Sequence, residues 1–566
     1  MSLFIDVSVN LWRLLRNAYV RLVRRPPGYV SFEVSGSLPE FESRVGLLQR
    51  RLRPGPAGLS LEGIRGRLAG VSADGRPRGV VLRLRSLDAG WAALEELRRE
   101  LFAFRERGGR VVAYLLDPVD SRSYYLACAA DETLATPLAT VGVIGLRTRV
   151  NFLKNALGRL GLEAEVVAVS PYKSAGDPFV RNDFSSESRE QAERLLDRRY
   201  EELVGAISWG RGLSPEESRA RIDGAPYSAP EALSQGLLDG VCYEDELPER
   251  LGEDGEKRVR LAEWEAARKA LRVPYRWSSR RRVGLVSLTG TIVRGRSRRL
   301  PVPLPLLGGE QAGSESVVAA LRLAERKRRV AAILFHVESP GGDALASDLI
   351  WREVERIRAK KPVVVLMGNA AASGGYYVSA AANHVVARRG TITGSIGVLS
   401  IRPVAGGLYE KLGVNPAAVG RGARAGLLDL SRRPTPDELR VLQGQINFIY
   451  DEFKNRVSRG RSVAVTDLEG IAAGRVWTGA EALDLGLADE VGGFAEALRK
   501  ARELGKVGQD TPEVLLKISP PRSGHLAPGK MPAEAAREMV DEIGQAVLQL
   551  RESRVWAIAP YDFRED

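Results

Sequence analysis

Histidine and cysteine are scarce in this chain, and the scarcity excludes much chemistry. His336, His384 and His525 are the only histidines, too few and too scattered for a multi-histidine metal site. Cys128 and Cys242 are the only cysteines. They stand far apart in apolar contexts and read as buried thiols, not as a disulfide or a metal pair. No cofactor and no metal is expected. Long apolar runs are missing as well. Leu3 to Val23 is interrupted by Asp6, Asn10, Arg13, Arg16 and Arg21, which is too broken for a spanning helix. It also lacks a clean signal-peptide core with a small-residue cleavage site. Basic patches interleaved with aromatics are absent, so no nucleic-acid partner is expected.

What the chain does have is positive charge. A net charge of +13 over 566 residues favours anionic surfaces, and a membrane surface is the expected one. Leu11, Leu14, Leu15, Ala18, Tyr19 and Leu22 share one helical face, with Arg13, Arg16 and Arg24 off it. Such a basic amphipathic helix either lies in a membrane interface or docks on the protein's own core.

The chain is duplicated. Tyr124 to Ala130 resembles Tyr376 to Ala382, and between 121–145 and 373–397 nine of 25 aligned positions are identical. A second anchor, Tyr227 to Leu233 against Trp477 to Leu483, keeps nearly the same offset. Two anchors in one order indicate two copies of one domain. In each copy β-branched runs alternate with helical patterns: strands at Tyr29–Val34, Gly79–Leu84 and Arg110–Leu116 in the first, Val283–Leu288, Val330–Val337 and Pro362–Met367 in the second. That alternation predicts an α/β fold, with parallel sheets covered by helices. The expected division is an N-terminal segment 1–27, a first repeat 28–262, a charged linker 263–282, a second repeat 283–506 and a tail 507–566. A tail helix is expected from about Ala533 to Arg551, packing on the second copy.

Chemistry is sought where the copies differ. In the second copy a buried strand runs into Gly368 to Tyr377, which reads as strand, sharp turn and helix. Ser373 on that turn fits a nucleophile; it also fits a helix N-cap serine. Glu338-Ser339-Pro340-Gly341-Gly342-Asp343 follows the neighbouring strand. Its paired glycines fit either a plain Pro-Gly turn or, with Gly374, two oxyanion-binding amides near Gly342 and at Gly374. The first copy keeps Ser121 but replaces the glycine pair with Arg122-Ser123. A serine needs a base. His336 and His384 are candidates by proximity in sequence. Lys173, among small and aromatic residues where the second copy has only arginines, is another. A lysine serves if burial lowers its pKa; on its spacing alone it also fits a surface lysine.

These residues resemble the signal peptide peptidase A (protease IV) family in its long, duplicated form. The resemblance rests on Ser339-Pro340-Gly341-Gly342, Ala372-Ser373-Gly374-Gly375-Tyr376, Thr393-Gly394-Ser395-Ile396-Gly397, Tyr172-Lys173-Ser174-Ala175 with Pro178-Phe179, and Val476-Trp477-Thr478-Gly479. It implies two tandem crotonase/Clp-protease-like domains and a serine endopeptidase with a Ser/Lys dyad. Ser373 would be the nucleophile, Lys173 the general base and Ser395 a hydroxyl assisting the lysine. It further implies signal peptides as substrates, association with the cell inner membrane and a ring-like homo-oligomer, commonly a tetramer. The family often has an N-terminal spanning helix, from which the interrupted segment here departs. Two rivals remain at this stage. One is a crotonase-like enzyme on acyl-CoA, with Glu338 and Asp343 as its carboxylates. The other is a non-catalytic membrane scaffold.

Overall fold

The computed structural model describes residues 2–42, 59–252, 257–275, 278–304, 308–461, 464–508, 513–518 and 555–558. Each copy is built on a parallel sheet, and the two sheets repeat the same strand order. In the first copy the order is Leu261–Glu263, Tyr29–Val34, Gly79–Leu84, Arg110–Leu115, Glu132–Ala135, Gly240–Val241. In the second it is Glu513–Lys517, Ser278–Thr289, Val330–Ser339, Val363–Ala372, His384–Ala387, Glu490–Val491. Side-chain bonds repeat too. Tyr124 donates to the Leu237 carbonyl at 2.6 Å and Tyr376 to the Leu487 carbonyl at 3.0 Å. Arg211 pairs with Asp239 and Arg461 with Asp489.

Strand periodicity divides the second copy's core. Val363, Val365 and Met367 face one apolar layer with the helices Ser314–Arg326 and Ala344–Arg358. Val364 and Leu366 face the other, against Ala497 and Ala501 of the helix Phe494–Gly505. Alternate residues of a strand point to opposite faces, so a continuous apolar run belongs in a sheet buried on both sides.

The strand Val363–Ala372 outruns the expected Pro362–Met367. Its register against Val330–Ser339 shifts between Val337, opposite Met367, and Ser339, opposite Ala371. Glu338 fills that irregularity, accepting from the Asn369 and Ala370 amides at 2.8 and 3.3 Å. Burial holds the Glu338 carboxyl above its usual pKa.

Several contacts among the described residues fasten the copies to each other. Glu163–Ala168 of the first pairs antiparallel with Leu399–Val404 of the second. Elsewhere Arg388 of the second copy, fully buried, binds Glu40 and, at 3.3 Å, Glu96 of the first. Ala93 also donates to the Asn369 side chain at 3.0 Å.

The start of the charged linker 263–282 is folded onto the first copy. Leu261–Glu263 is an edge strand beside Tyr29–Val34, and Trp264–Ala270 is a helix that buries Ala267 and Ala270. Small apolar residues at one spacing anchor it despite the charges around them. In the tail, Glu513–Lys517 joins the second sheet and Trp556–Ile558 pairs with Gly341–Asp343. The expected tail helix lies outside the described residues.

The N-terminal helix Ser2–Val23 docks by its polar face. Arg13 donates to the Pro274 carbonyl at 2.6 Å, and Arg16 to the Leu271 and Arg268 carbonyls at 2.9 and 3.0 Å. Asn17 exchanges two bonds with Val273. Basic groups meeting the last carbonyls of a helix are favourable. Most of its apolar residues therefore face outward, Leu15 at 62% and Leu22 at 85% exposure, while Val20 is buried. No described helix is long and apolar enough to cross a membrane.

Candidate active site

Ser373 sits at the carboxyl end of Val363–Ala372, immediately before the helix Gly374–Ser379. Its φ is +54°, a region that only an over-determined backbone holds in a non-glycine residue. The restraints are visible: its amide donates to the Gly394 carbonyl at 2.8 Å, and its carbonyl accepts from the Tyr377 amide at 2.7 Å. The serine stands at the N-cap position but its side chain caps nothing. Instead its oxygen lies 2.7 Å from Lys173 Nζ.

Lys173 arrives from the other copy. The antiparallel pair Glu163–Ala168 and Leu399–Val404 carries the chain across, and the Val169 amide extends the ladder to the Val398 carbonyl at 3.1 Å. Lys173 Nζ also lies 2.9 Å from both the Ser395 carbonyl and Ser395 Oγ. Lys173, Ser373 and Ser395 are all buried. Burial drives the lysine pKa well below its ordinary value, and no carboxylate counters it. A neutral amine has two N–H groups and one lone pair. Two bonds to Ser395 use the N–H groups and leave the lone pair for the Ser373 hydroxyl. The two groups meet within one chain.

A loop that the sequence did not single out seats the lysine. A Cβ on Gly474 would lie 2.8 Å from the Lys173 N, Cα and Cβ, and Gly474 has φ +82°. Arg475 accepts from the Ser395 amide at 2.6 Å, and its guanidinium lies 3.7 Å from the Tyr172 ring centroid. Gln191, also unsuspected, donates to the Tyr172 carbonyl at 3.1 Å and accepts from the Val476 amide at 2.9 Å. The one available signal was Gly474's place just before Val476-Trp477-Thr478-Gly479. Gly474→Ala should lower kcat about 100-fold with little change in KM, since a small misplacement of a catalytic group costs about that much. Steady-state kinetics on a reporter peptide check this; an unchanged kcat would remove the loop from the account.

The other candidates have other work. His336 is buried, packs edge-on against Phe41 at 5.2 Å, and has its pKa lowered to about 4 by burial. Neither ring nitrogen has a hydrogen-bond partner. His384 bonds Glu490 at 3.0 Å. Asp343 caps the helix Ala344–Arg358 through the Ala346 amide and pairs with Arg294. With Glu338 on the strand irregularity, neither loop carboxylate is a solvated acid awaiting a substrate. In the first copy Ser121 bonds the Gly145 carbonyl at 2.8 Å.

Gly341 and Gly342 are glycines for backbone reasons. Gly341 has φ +112°, and a Cβ on Gly342 would lie 2.0 Å from the Ile292 carbonyl oxygen. A Cβ on Gly375 would lie 2.6 Å from the Ser339 carbonyl oxygen. The Ser339 end of the first glycine turn therefore lies against Gly375, with Gly374 beside Ser373. No group of residues able to hold a metal occurs among the described residues.

Comparison with known proteins gives the family. The profile described as "Peptidase family S49" matches residues 103–258 and 355–508, one segment in each copy. The "Clp protease" profile matches residues 308–393. "Serine protease SPPA, chloroplastic" of Arabidopsis thaliana is 33% identical over 475 residues, 82% of this chain and 68% of that protein. "Protease 4" of Haemophilus influenzae is 31% identical over 459 residues, 77% of this chain and 72% of that protein. "Protease 4" of Salmonella typhi is 28% identical over 574 residues, 96% of this chain and 88% of that protein. The tandem α/β units have the ClpP/crotonase-like fold, and the enzyme is a serine peptidase. The chain belongs to peptidase family S49.

Proposed function

We propose that this peptidase cleaves signal peptides released in the membrane, or other apolar peptides, with a Ser/Lys dyad. The observation that carries the reading is the 2.7 Å approach of a buried, uncompensated lysine to a strained serine. Neutral Lys173 takes the Ser373 proton as Ser373 attacks the scissile carbonyl. The amides of the Gly341–Gly342 turn and of Gly374 hold the oxyanion. The lysinium returns the proton to the leaving amine, and water resolves the acyl-enzyme by the same route. Ser395 keeps the amine oriented through its two contacts. The acyl-CoA alternative loses its support, since both loop carboxylates are engaged in the scaffold. An apolar reporter peptide tests the reading: wild type cleaves it, and Ser373→Ala folds with the same melting temperature and cleaves nothing above background. Residual turnover by that variant would refute the assignment.

The setting is part of the proposal. The outward apolar face of the N-terminal helix, with the chain's positive charge, supports docking on an anionic membrane surface, as on the inner membrane of a cell. Leu11→Asp with Leu15→Asp should reduce co-sedimentation with anionic phospholipid vesicles at least tenfold without changing cleavage of a soluble reporter. Equal sedimentation would sink the membrane role. A homotetramer is also proposed, from family resemblance; a solution mass four times that of the chain would support it and a monomer mass would not.

A further inference from the structure

One helix of the first copy reaches past the lysine to the second copy's strand beside Ser395. Ser186–Arg211 carries Gln191, Arg194, Leu195 and Arg198 at spacings of three and four, which puts them on one face. That face meets Val476–Thr478 and the helix after it. Leu195 packs with Val476 and Ile392. Arg194 donates to the Val476 carbonyl and, at 2.8 Å, to Glu481. Arg198 lies 3.7 Å from Glu481. Gln191 also touches the lysine's segment: it donates to the Tyr172 carbonyl at 3.1 Å while accepting from the Val476 amide at 2.9 Å. The orientation of its amide is forced, because a carbonyl only accepts and an N–H only donates. Gln191 is 2% exposed, so losing its side chain strands two backbone groups in the interior.

Both ends of this bridge adjoin the reacting groups. Tyr172 is peptide-bonded to Lys173. Val476 lies opposite Gly394, whose carbonyl accepts from the Ser373 amide. Val476 also follows Arg475, whose carbonyl accepts from the Ser395 amide at 2.6 Å. The backbone around them is strained. Ser373, Ser395 and Ala473 have φ of +54°, +49° and +52°, three of the four non-glycine residues with positive φ among the described residues. Such conformations persist only where their surroundings over-determine them. Ala473 is held from both copies: its carbonyl accepts from the Ser170 hydroxyl, and its amide donates to the Tyr450 hydroxyl at 2.9 Å. The helix is tied to the lysine's segment as well. Ser185, its N-cap, donates to Asp177 at 2.7 Å, and the Tyr172 hydroxyl donates to Glu190 at 3.0 Å.

We propose that Gln191 is a positioning residue for the dyad: its side-chain amide sets the spacing between the lysine's segment in the first copy and the Ser395 segment in the second, and so aims the Lys173 amine at Ser373. The proposal deepens the peptidase reading and rests on it. Gln191 acts through the backbone of Tyr172 and Val476. Without it those two groups part, and the amine shifts against Ser395 and Ser373. A displacement of about 1 Å at a reacting group costs about 100-fold in rate. Looser packing also hydrates the amine and moves it back toward the ordinary lysine pKa, undoing the effect of burial.

The test compares full-length wild type, Gln191→Leu, Gln191→Glu and Arg198→Ala on the apolar reporter, each assayed well below its melting temperature. Leucine fills the space and makes neither bond. An ionised glutamate still accepts from Val476 but has no proton for the Tyr172 carbonyl. Gln191→Leu should lower kcat about 100-fold with KM within about twofold of wild type, and move the rising limb of the pH–rate profile to higher pH. Gln191→Glu should lower kcat at least about tenfold and move the limb the same way. Arg198→Ala, further along the same face, should match wild type. A purely structural role would lower the melting temperature and leave the limb in place. If Gln191→Leu does not fold, Gln191→Glu decides the matter. A kcat within about twofold of wild type, or an unmoved limb, overturns the proposal, as does an equal loss in Arg198→Ala. Labelling of Ser373 by a covalent serine probe separates this claim from the reading beneath it. Wild type labelled no faster than Lys173→Met refutes the dyad and the proposal with it. Labelling that depends on Lys173 but not on Gln191 refutes the positioning role and leaves the dyad standing.

Discussion

Lys173→Ala abolishes measurable peptide hydrolysis, with kcat falling about 100- to 10,000-fold, the usual worth of a positioned general base. Lys173→Met does the same while filling the lysine's space, which separates loss of the base from loss of packing. The two differ from wild type in stability as well. Burial lowers the lysine pKa in the folded state, so near neutral pH the unfolded chain binds more protons there than the folded one. Stability from this group therefore rises with pH across the window between the lowered value and the ordinary lysine value. Lys173→Met should melt higher than wild type at neutral pH, and the advantage should shrink as pH climbs toward the ordinary lysine range. The same titration gives kcat/KM a limb that rises with pH well below that range. Calorimetry and a pH–rate profile check both, and a Lys173→Met protein less stable than wild type at neutral pH would contradict the burial argument.

Arg388→Ala costs about 3–5 kcal/mol of stability, because it takes the fully buried cation away from Glu40 and Glu96 in the interface between the copies. Both carboxylates have side-chain exposures of 3% or less. Arg65 remains within 3.3 Å of Glu40 and 3.0 Å of Glu96, which keeps the loss from being larger. Burial pushes the Glu40 carboxyl up, but Arg388 and Arg65 outweigh it and hold its pKa at about 2. A carboxyl lowered from 4.5 to about 2 contributes stability that is complete above the higher value. That contribution is lost as pH falls through the lower one. Denaturant titrations should therefore show wild type losing stability between about pH 4.5 and pH 2. Arg388→Ala should lose less over that range, having less to lose. A cost below about 1 kcal/mol would mean that the interface does not depend on this group.

The elements that the residues announced are those where one strand or helix carries its own pattern. β-branched runs such as Val363 to Val365 and Val111 to Val112 stand in both parallel sheets, and the repeat anchors correspond to matching hydrogen bonds. Ser373 was legible as a turn between strand and helix because Gly374 and Gly375 follow it. What the residues did not announce depends on partners distant in sequence. Glu338 supports the strand just before Ser373 by reaching Asn369 and Ala370 across the sheet, so the strand runs past Met367. Arg388 and Glu40 are 348 residues apart, and neither has a local signal. The N-terminal helix displayed two faces, but which one docks depends on the free carbonyls at Arg268 to Pro274. Gly474 is one glycine among many until Lys173 lies against it. The three-residue tail strand is too short to show a period.

The measurement that most directly tests a dyad assembled from two copies is the labelling rate of Ser373 by a covalent serine probe. Mass-spectrometric mapping would locate the label in wild type and in Lys173→Met at one pH. The account predicts rapid, single-site labelling at Ser373 in wild type and labelling slowed at least about 100-fold without the lysine. Equal rates in both proteins, or a label on another serine, would contradict it.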